Sequence, residues 1–102
     1  MLPYELTLPA EQNLKEIARY TLAQWGKKQS LHYAALLENR FREIAARSAR
    51  SRSFSERYTQ VRVSRCEHHY IFYIHPEKKP PCIIAVLHEK MDMLNRLKNR
   101  ID

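Results

Sequence analysis

Apolar residues recur at threes and fours along the first half of the chain and at twos along much of the second. Tyr4-Glu5-Leu6-Thr7-Leu8 alternates moderately and predicts a first strand. Pro9-Ala10-Glu11 then opens a helix: proline is tolerated in the first turn, and an acid there suits the positive end of the helix dipole. Leu14, Ile17, Ala18, Thr21, Leu22 and Trp25 form one apolar stripe, and Gly26 stands where a C-terminal cap belongs. Lys27 and Lys28 lead into a second helix with the stripe Leu31, Ala34, Leu37, Phe41, Ile44 and Ala45. A short link between two amphipathic helices implies an antiparallel hairpin. Neither helix is stable alone, so each must bury its stripe on something.

Beyond the helices the pattern changes. Ser48 to Ser55 alternates serine with arginine and predicts a mobile basic loop. From Tyr58 the period is two, with Tyr58, Gln60, Arg62 and Ser64 on one face and Thr59, Val61 and Val63 on the other. His69 to Ile74 is a near-continuous strand. His75 to Pro81 holds three prolines and predicts a turn, since proline breaks a central ladder. Cys82 to Leu87 is apolar on both faces, which predicts a central strand. Asp92 then suits the N-cap of a tail helix carrying Met93, Leu94, Leu97 and Ile101. The order is β, α, α, β, β, β and a short C-terminal helix.

Composition narrows the function. The 102 residues, 44% of them apolar, allow one domain (1–102) with one modest core. No apolar run reaches the roughly 18 to 20 residues that span a bilayer. The N-terminus lacks the pattern of a signal peptide, so a cytoplasmic protein is expected, with no membrane role. Cys66 and Cys82 are then reduced and serve as small strand hydrophobes. The net charge of +7 is concentrated: residues 27–65 carry ten Lys/Arg against three Glu. Such a block favours an acidic partner or a nucleic acid, and equally fits a solvated helix face and a basic loop. With Gly26 as its one glycine, the chain has no phosphate-cradling loop or dinucleotide fingerprint. Neither zinc-type Cys/His spacing nor a Gly-x-Ser-x-Gly elbow occurs, and no metal or cofactor is expected.

Three motifs carry a resemblance: Tyr20-Thr21, Trp25-Gly26, Gln29 and Tyr33 across the hairpin; Arg62 seven residues before His69-Tyr70-Ile71-Phe72-Tyr73; and Leu87-His88-Glu89-Lys90-Met91-Asp92. In this set the chain resembles the ParE branch of the RelE/ParE toxins of bacterial toxin–antitoxin pairs. Lysine replaces the arginine usual at position 90. Two glycines usual in the family, one after the second helix and one before the arginine matching Arg62, are not present. The resemblance covers nearly the whole chain. It implies an α+β fold with the helical hairpin packed on one face of a small, mostly antiparallel sheet.

The resemblance also implies a function. ParE-type toxins poison DNA gyrase by protein–protein binding and are neutralised by a ParD-like antitoxin. That antitoxin is acidic and generally dimeric, giving a hetero-oligomeric complex, and its disordered segment folds onto the toxin. Direct nucleic-acid binding is not expected of the toxin on its own. A +7 surface offers steering toward the antitoxin. Trp25, Tyr33, Arg40, Phe41 and Arg62 are candidate antitoxin contacts, since Trp, Tyr and Arg dominate binding hot spots. Trp25 and Phe41 also fit core packing, whereas Tyr33 sits off the second stripe. His88 and the basic tail (Arg96, Lys98, Arg100) are candidates for the gyrase surface. The alternative is a RelE-like, ribosome-dependent mRNA endonuclease. That chemistry needs a base, an acid and phosphate-binding cations, for which Arg62, Arg65, His69, Tyr73 and His88 are the candidates. The same residues fit structural roles: a cross-strand His69–His88 pair, a half-buried Tyr73, and Arg62 anchored to a backbone carbonyl or to Asp92.

Overall fold

A computed structural model describes residues 2–90, 96 and 97. Its elements are β1 (Glu5–Leu6), α1 (Leu8–Trp25), α2 (Lys27–Ala45), β2 (Arg52–Ser53), β3 (Arg62–Cys66), β4 (His69–Ile74) and β5 (Cys82–His88). The strands form one sheet in the order β1-β5-β4-β3-β2. β1 runs parallel to β5, and the other pairings are antiparallel. The helical hairpin and the mostly antiparallel sheet agree with the α+β fold expected from the resemblance.

Several boundaries differ from the sequence reading, each for a local reason. The first strand stops at Leu6 because Thr7 is the N-cap of α1, its hydroxyl accepting the Ala10 N–H at 3.2 Å. Residues 48–55 are tied down rather than loose. Arg52 and Ser53 pair with β3, the Ser64 hydroxyl donates to the Arg50 carbonyl at 2.7 Å, and the Phe54 N–H donates to the Val61 carbonyl at 2.9 Å. The third strand starts at Arg62, not Tyr58, since Tyr58 to Gln60 form a turn whose Val61 N–H donates back to the Tyr58 carbonyl at 3.0 Å. Arg47 leaves α2 at a φ of 59°, a conformation that favours the glycine absent from this loop. Of the expected tail helix, Arg96 and Leu97 are helical. Asp92, Met93, Leu94 and Ile101 lie outside the described residues.

The sheet is buried on both faces. Toward the helices, Tyr4, Leu37, Phe41, Ile44, Ile71, Tyr73, Ile83 and Val86 form one core. On the opposite face, Val61, Val63, Phe72, Ala85, Leu87 and Leu97 form another, beneath Tyr58 and Phe54. β5 serves both cores, and a bulge changes which of its residues face each one. Phe72 pairs with Ala85 but Tyr73 pairs with Ile83, leaving Ile84 as the extra residue. The bulge shifts the alternation by one, so Ile83 and Val86 both face the helices and His88 follows Val86 onto that side.

The expected stripe of α1 is rotated. Its buried residues are Ala10 and Asn13, with Leu14, Ile17 and Thr21 half-buried. Asn13 is buried for a reason that periodicity does not reveal. β1 pairs only with Cys82 and Ile83, so further along β5 the Val86 N–H has no strand to donate to; the Asn13 side-chain oxygen accepts it at 3.1 Å. Removing one partner of a buried hydrogen bond costs about 1–3 kcal/mol. Asn13→Leu is therefore expected to lose about that much stability in urea unfolding; an unchanged midpoint would refute this role.

Gly26 alone joins the two helices, with φ 88° and ψ 172°. Its N–H donates to the Leu22 carbonyl and its carbonyl accepts the Ser30 N–H, both at 3.0 Å. A Cβ here meets nothing within 4 Å, so the requirement for glycine is conformational rather than steric packing. This region is essentially reserved for glycine. Gly26→Ala is expected to lower stability by about 1–3 kcal/mol, read by thermal or urea unfolding, while the far-UV helix signal persists.

Candidate functional site

Helices of 18 and 19 residues are about 27 Å long, which exceeds the width of sheet beneath them. Their joined ends therefore overhang. Trp25 is 69% exposed, and Leu22 and Leu31 are also exposed. These positions continue the apolar stripes, but no strand lies under them. Trp25 is thus not a core residue.

Between the overhang and the sheet runs a groove of about 350 Å³. Tyr20, Thr21 and Trp25 line it from α1, Gln29 and Tyr33 from α2, and His69 and His88 from the strands. The hairpin series Tyr-Thr, Trp, Gln, Tyr and the two strand histidines, scattered over nearly 70 positions of sequence, thus converge on one surface. A second groove of about 370 Å³ continues it between α1 and the end of β5, lined by Ile17, Tyr20, Val86, His88 and Lys90 among others.

The floor is a histidine cluster. His69 pairs with His88 across the strands, their rings perpendicular with centroids 5.2 Å apart. The His68 ring stacks near His88 at 6.4 Å. Burial, and then the positive charge available to His88 and His68, hold the His69 imidazole down at about 4. Burial pushes the Tyr33 hydroxyl up to about 12. Tyr33 therefore stays protonated and His69 neutral, and the hydroxyl shares a hydrogen bond with His69 Nδ1 at 2.5 Å. Tyr33 is consequently an inward strut from α2 to the sheet, although it also presents its ring to the groove. At the rim, Glu89 bridges Arg65 at 2.5 Å and His68 at 3.3 Å, and its carboxyl is held below the usual range by the bond to His68 and by Arg65.

The remaining candidates are dispersed. Phe41, 2% exposed, packs against Tyr4 with ring centroids 5.2 Å apart; as a surface anchor it is corrected to a core residue. Tyr73 is also core rather than half-buried. Arg62 pairs with Tyr73 across β3 and β4, and its guanidinium donates to the Ser51 hydroxyl at 3.0 and 3.1 Å, not to a carbonyl. Four residues of β4, about 13 Å of extended chain, separate Tyr73 and Arg62 from the histidine pair. The structure therefore does not gather Arg62, Tyr73, His69 and His88. Arg40 clamps α2 to β3 through the Arg65 carbonyl and the Ser64 hydroxyl. Arg96 is exposed, while Lys98 and Arg100 lie outside the described residues. Tyr20 was not legible as a groove residue, because it stands off the apolar stripe and only the sheet's placement shows what it faces. Among the described residues, no group of three or more His, Cys, Asp or Glu is placed to hold a metal ion, and no helix is long and apolar enough to cross a membrane.

A helical hairpin on a small mixed sheet, presenting an aromatic and histidine-lined groove, defines a small α+β domain. Comparison with known proteins gives it a family. Residues 4–93 match the family described as ParE toxin of type II toxin-antitoxin system, parDE. The chain is 40% identical over 101 residues to Toxin ParE of Escherichia coli, covering 99% of this chain and 98% of that protein. In fold it is similar to a chain from the chromosomal ParDE TA system of P. aeruginosa, with a TM-score of 0.70 at 17% identity over 86% of this chain and 96% of that one. The chain belongs to the ParE toxin family of type II toxin–antitoxin systems.

The buried histidine makes stability depend on pH. His69 sits at about 4 in the folded chain against an ordinary 6.5, so the unfolded chain takes up the proton first as pH falls. Its contribution is complete above pH 6.5 and is progressively lost toward pH 4, amounting to up to about 3 kcal/mol. Urea unfolding between neutral pH and the lower end of that window is expected to show a steeper loss for the wild type than for His69→Asn. Equal slopes would remove His69 as the cause.

Proposed function

We propose that this toxin acts in the cytoplasm by binding DNA gyrase, not by breaking bonds itself, and that an acidic ParD-like antitoxin neutralises it by folding into the groove. The observation that carries the antitoxin half is the groove itself: an apolar, aromatic-walled channel on the surface of a chain of charge +7. A disordered acidic segment gains steering from that charge and burial from those walls. Tyr20, Trp25 and Tyr33 are its expected anchors, with His88 on the floor. Tyr33 and Trp25 are large and well placed, and Trp and Tyr are the residues that most often dominate such contacts. Arg40 and Arg62 contribute through the charge they add to the neighbouring face. The relatives support the same reading, since the P. aeruginosa structure is of a toxin–antitoxin system.

The gyrase half rests on family membership. His88 and the exposed Arg96, with Lys98 and Arg100, are the proposed target contacts. Separation of Arg62 and Tyr73 from the histidine pair favours binding over a nuclease mechanism. The purified chain, added to gyrase and a supercoiled plasmid, is expected to inhibit supercoiling and accumulate linear, cleaved DNA. A folded, growth-arresting preparation that leaves gyrase untouched would overturn this, and cuts in ribosome-bound message lost in His88→Ala would establish the nuclease instead. For the antitoxin, Trp25→Ala is expected to weaken binding about tenfold to a hundredfold, consistent with about 1–3 kcal/mol for a hot-spot aromatic, in calorimetry on the folded variant. Unchanged affinity would remove the groove as the docking site.

A further inference from the structure

The positive charge of this chain is not merely regional; it is made of one residue type. Residues 40–65 hold eight arginines, no lysine and two glutamates, and so supply six of the seven net positive charges. Arginine's planar fork matches phosphate oxygens two at a time, which lysine cannot do. Three of the eight are already committed to carboxylates: Arg40 to Glu43, Arg42 to Glu38 and Arg65 to Glu89. Among the described residues no carboxylate lies within ion-pairing distance of Arg47, Arg50, Arg52, Arg57 or Arg62. Arg50, Arg52 and Arg57 are also exposed.

The fold puts these side chains at one margin. Among the described residues, β2 is the last strand of the sheet, with β3 on one side and no strand on the other. Arg50 and Arg52 flank and begin it, and Arg57 follows on the turn back to β3. Arg50 also lines, with Arg40 and Arg65, an open hollow of about 540 Å³ whose two glutamates are Glu43 and Glu67. The serines alternating with the arginines tie the segment to itself and its neighbours: the Ser53 hydroxyl donates to the Ser55 carbonyl, and the Ser51 hydroxyl accepts from Arg62. The segment is pinned by backbone bonds to β3, so the guanidinium groups are presented by an ordered strand.

We propose that this arginine edge binds the phosphodiester backbone of duplex DNA. Duplex is favoured over single strands because the aromatics of the margin are occupied. Phe54 packs edge-on against Phe72 at 5.4 Å and beside Tyr58 at 6.4 Å, which leaves no free ring on which an unpaired base can stack. Guanidinium groups held along an exposed edge strand meet phosphate oxygens first, and such contacts carry no sequence information. The inference stands apart from the gyrase and antitoxin readings: the edge lies across the sheet from the groove. It also departs from the expectation that this chain does not touch nucleic acid on its own. Charged edge strands otherwise serve to block sheet-to-sheet aggregation, and the experiment separates the two roles.

The test is fluorescence anisotropy of a short labelled DNA duplex with the whole purified chain. With four phosphates contacted, affinity is expected to fall about a hundredfold as salt rises from about 50 to about 200 mM. A triple Arg50→Gln, Arg52→Gln, Arg57→Gln variant is expected to bind at least tenfold more weakly at the lower salt, with a salt slope reduced by about three. A charge-matched triple of Lys15→Gln, Lys27→Gln and Lys28→Gln, on the helices, is expected to stay within about twofold of wild type. Equal losses in the two triples would overturn the proposal, since net charge alone would then explain binding. So would an absence of wild-type binding at low salt, tighter binding to single strands, competition by polyglutamate as effective as by duplex, or an arginine triple that aggregates yet binds unchanged. Should that triple fail to fold, Arg52→Gln alone is expected to lower the slope by about one, and an unchanged slope would overturn the proposal.

Discussion

β5 is the constraint on which the rest of this fold depends. It is apolar on both faces, and water must be kept from both. The hairpin covers one side through Leu37, Phe41 and Ile44, while the 54–61 segment and Leu97 cover the other. The strand's outer edge is a third demand. β1 satisfies its first two residues, and Asn13 answers for Val86. Each neighbouring element can be understood as closing one exposed side of this strand. A helical residue that would be anomalous elsewhere, a buried asparagine, becomes the expected solution at a strand edge left short.

The groove is a by-product of the same geometry. The helices are longer than the sheet is wide, so their joined ends extend past it. What projects is a continuation of the apolar stripe that the core needs elsewhere. Tyr33 fixes the angle of the overhang by reaching back to His69. Burial favours the protonated hydroxyl and the neutral imidazole on the two sides of that bond. The aromatic walls and the neutral histidine are parts of one arrangement.

Much of this was legible in the residues and some was not. The change of period from three and four to two gave the helices, β4 and β5 nearly to the residue. Of the groove residues, the sequence marks Trp25, Tyr33 and His88 as contact candidates, while Tyr20, Thr21 and Gln29 enter as parts of a family motif rather than as contacts. Trp25, Leu22 and Leu31 misled, since periodicity says which way a side chain points but not whether a sheet lies beneath it. Phe41 and Trp25 occupy equivalent stripe positions, yet one is in the core and the other in solvent. The bulge at Ile84 was hidden as well: in a run where every residue is apolar, one extra residue leaves no mark in the pattern, although it decides the face on which His88 emerges. The β2 strand escaped notice because its two residues, Arg52 and Ser53, are polar and are held by backbone bonds that any side chain would permit. The alternation of serine and arginine signalled its charge but not its order.

The one-residue connection at Gly26 has a bearing on how any ligand of the groove must arrive. Two long helices joined through a single peptide unit, with both its N–H and its carbonyl engaged, have no slack by which to swing apart. The α1 and α2 walls of the channel are therefore tied to each other at their joined ends. Adaptation then falls on the incoming chain, which must order itself against a finished mould and bear nearly all the entropy of the encounter. A wall set in advance in this way discriminates chiefly by shape.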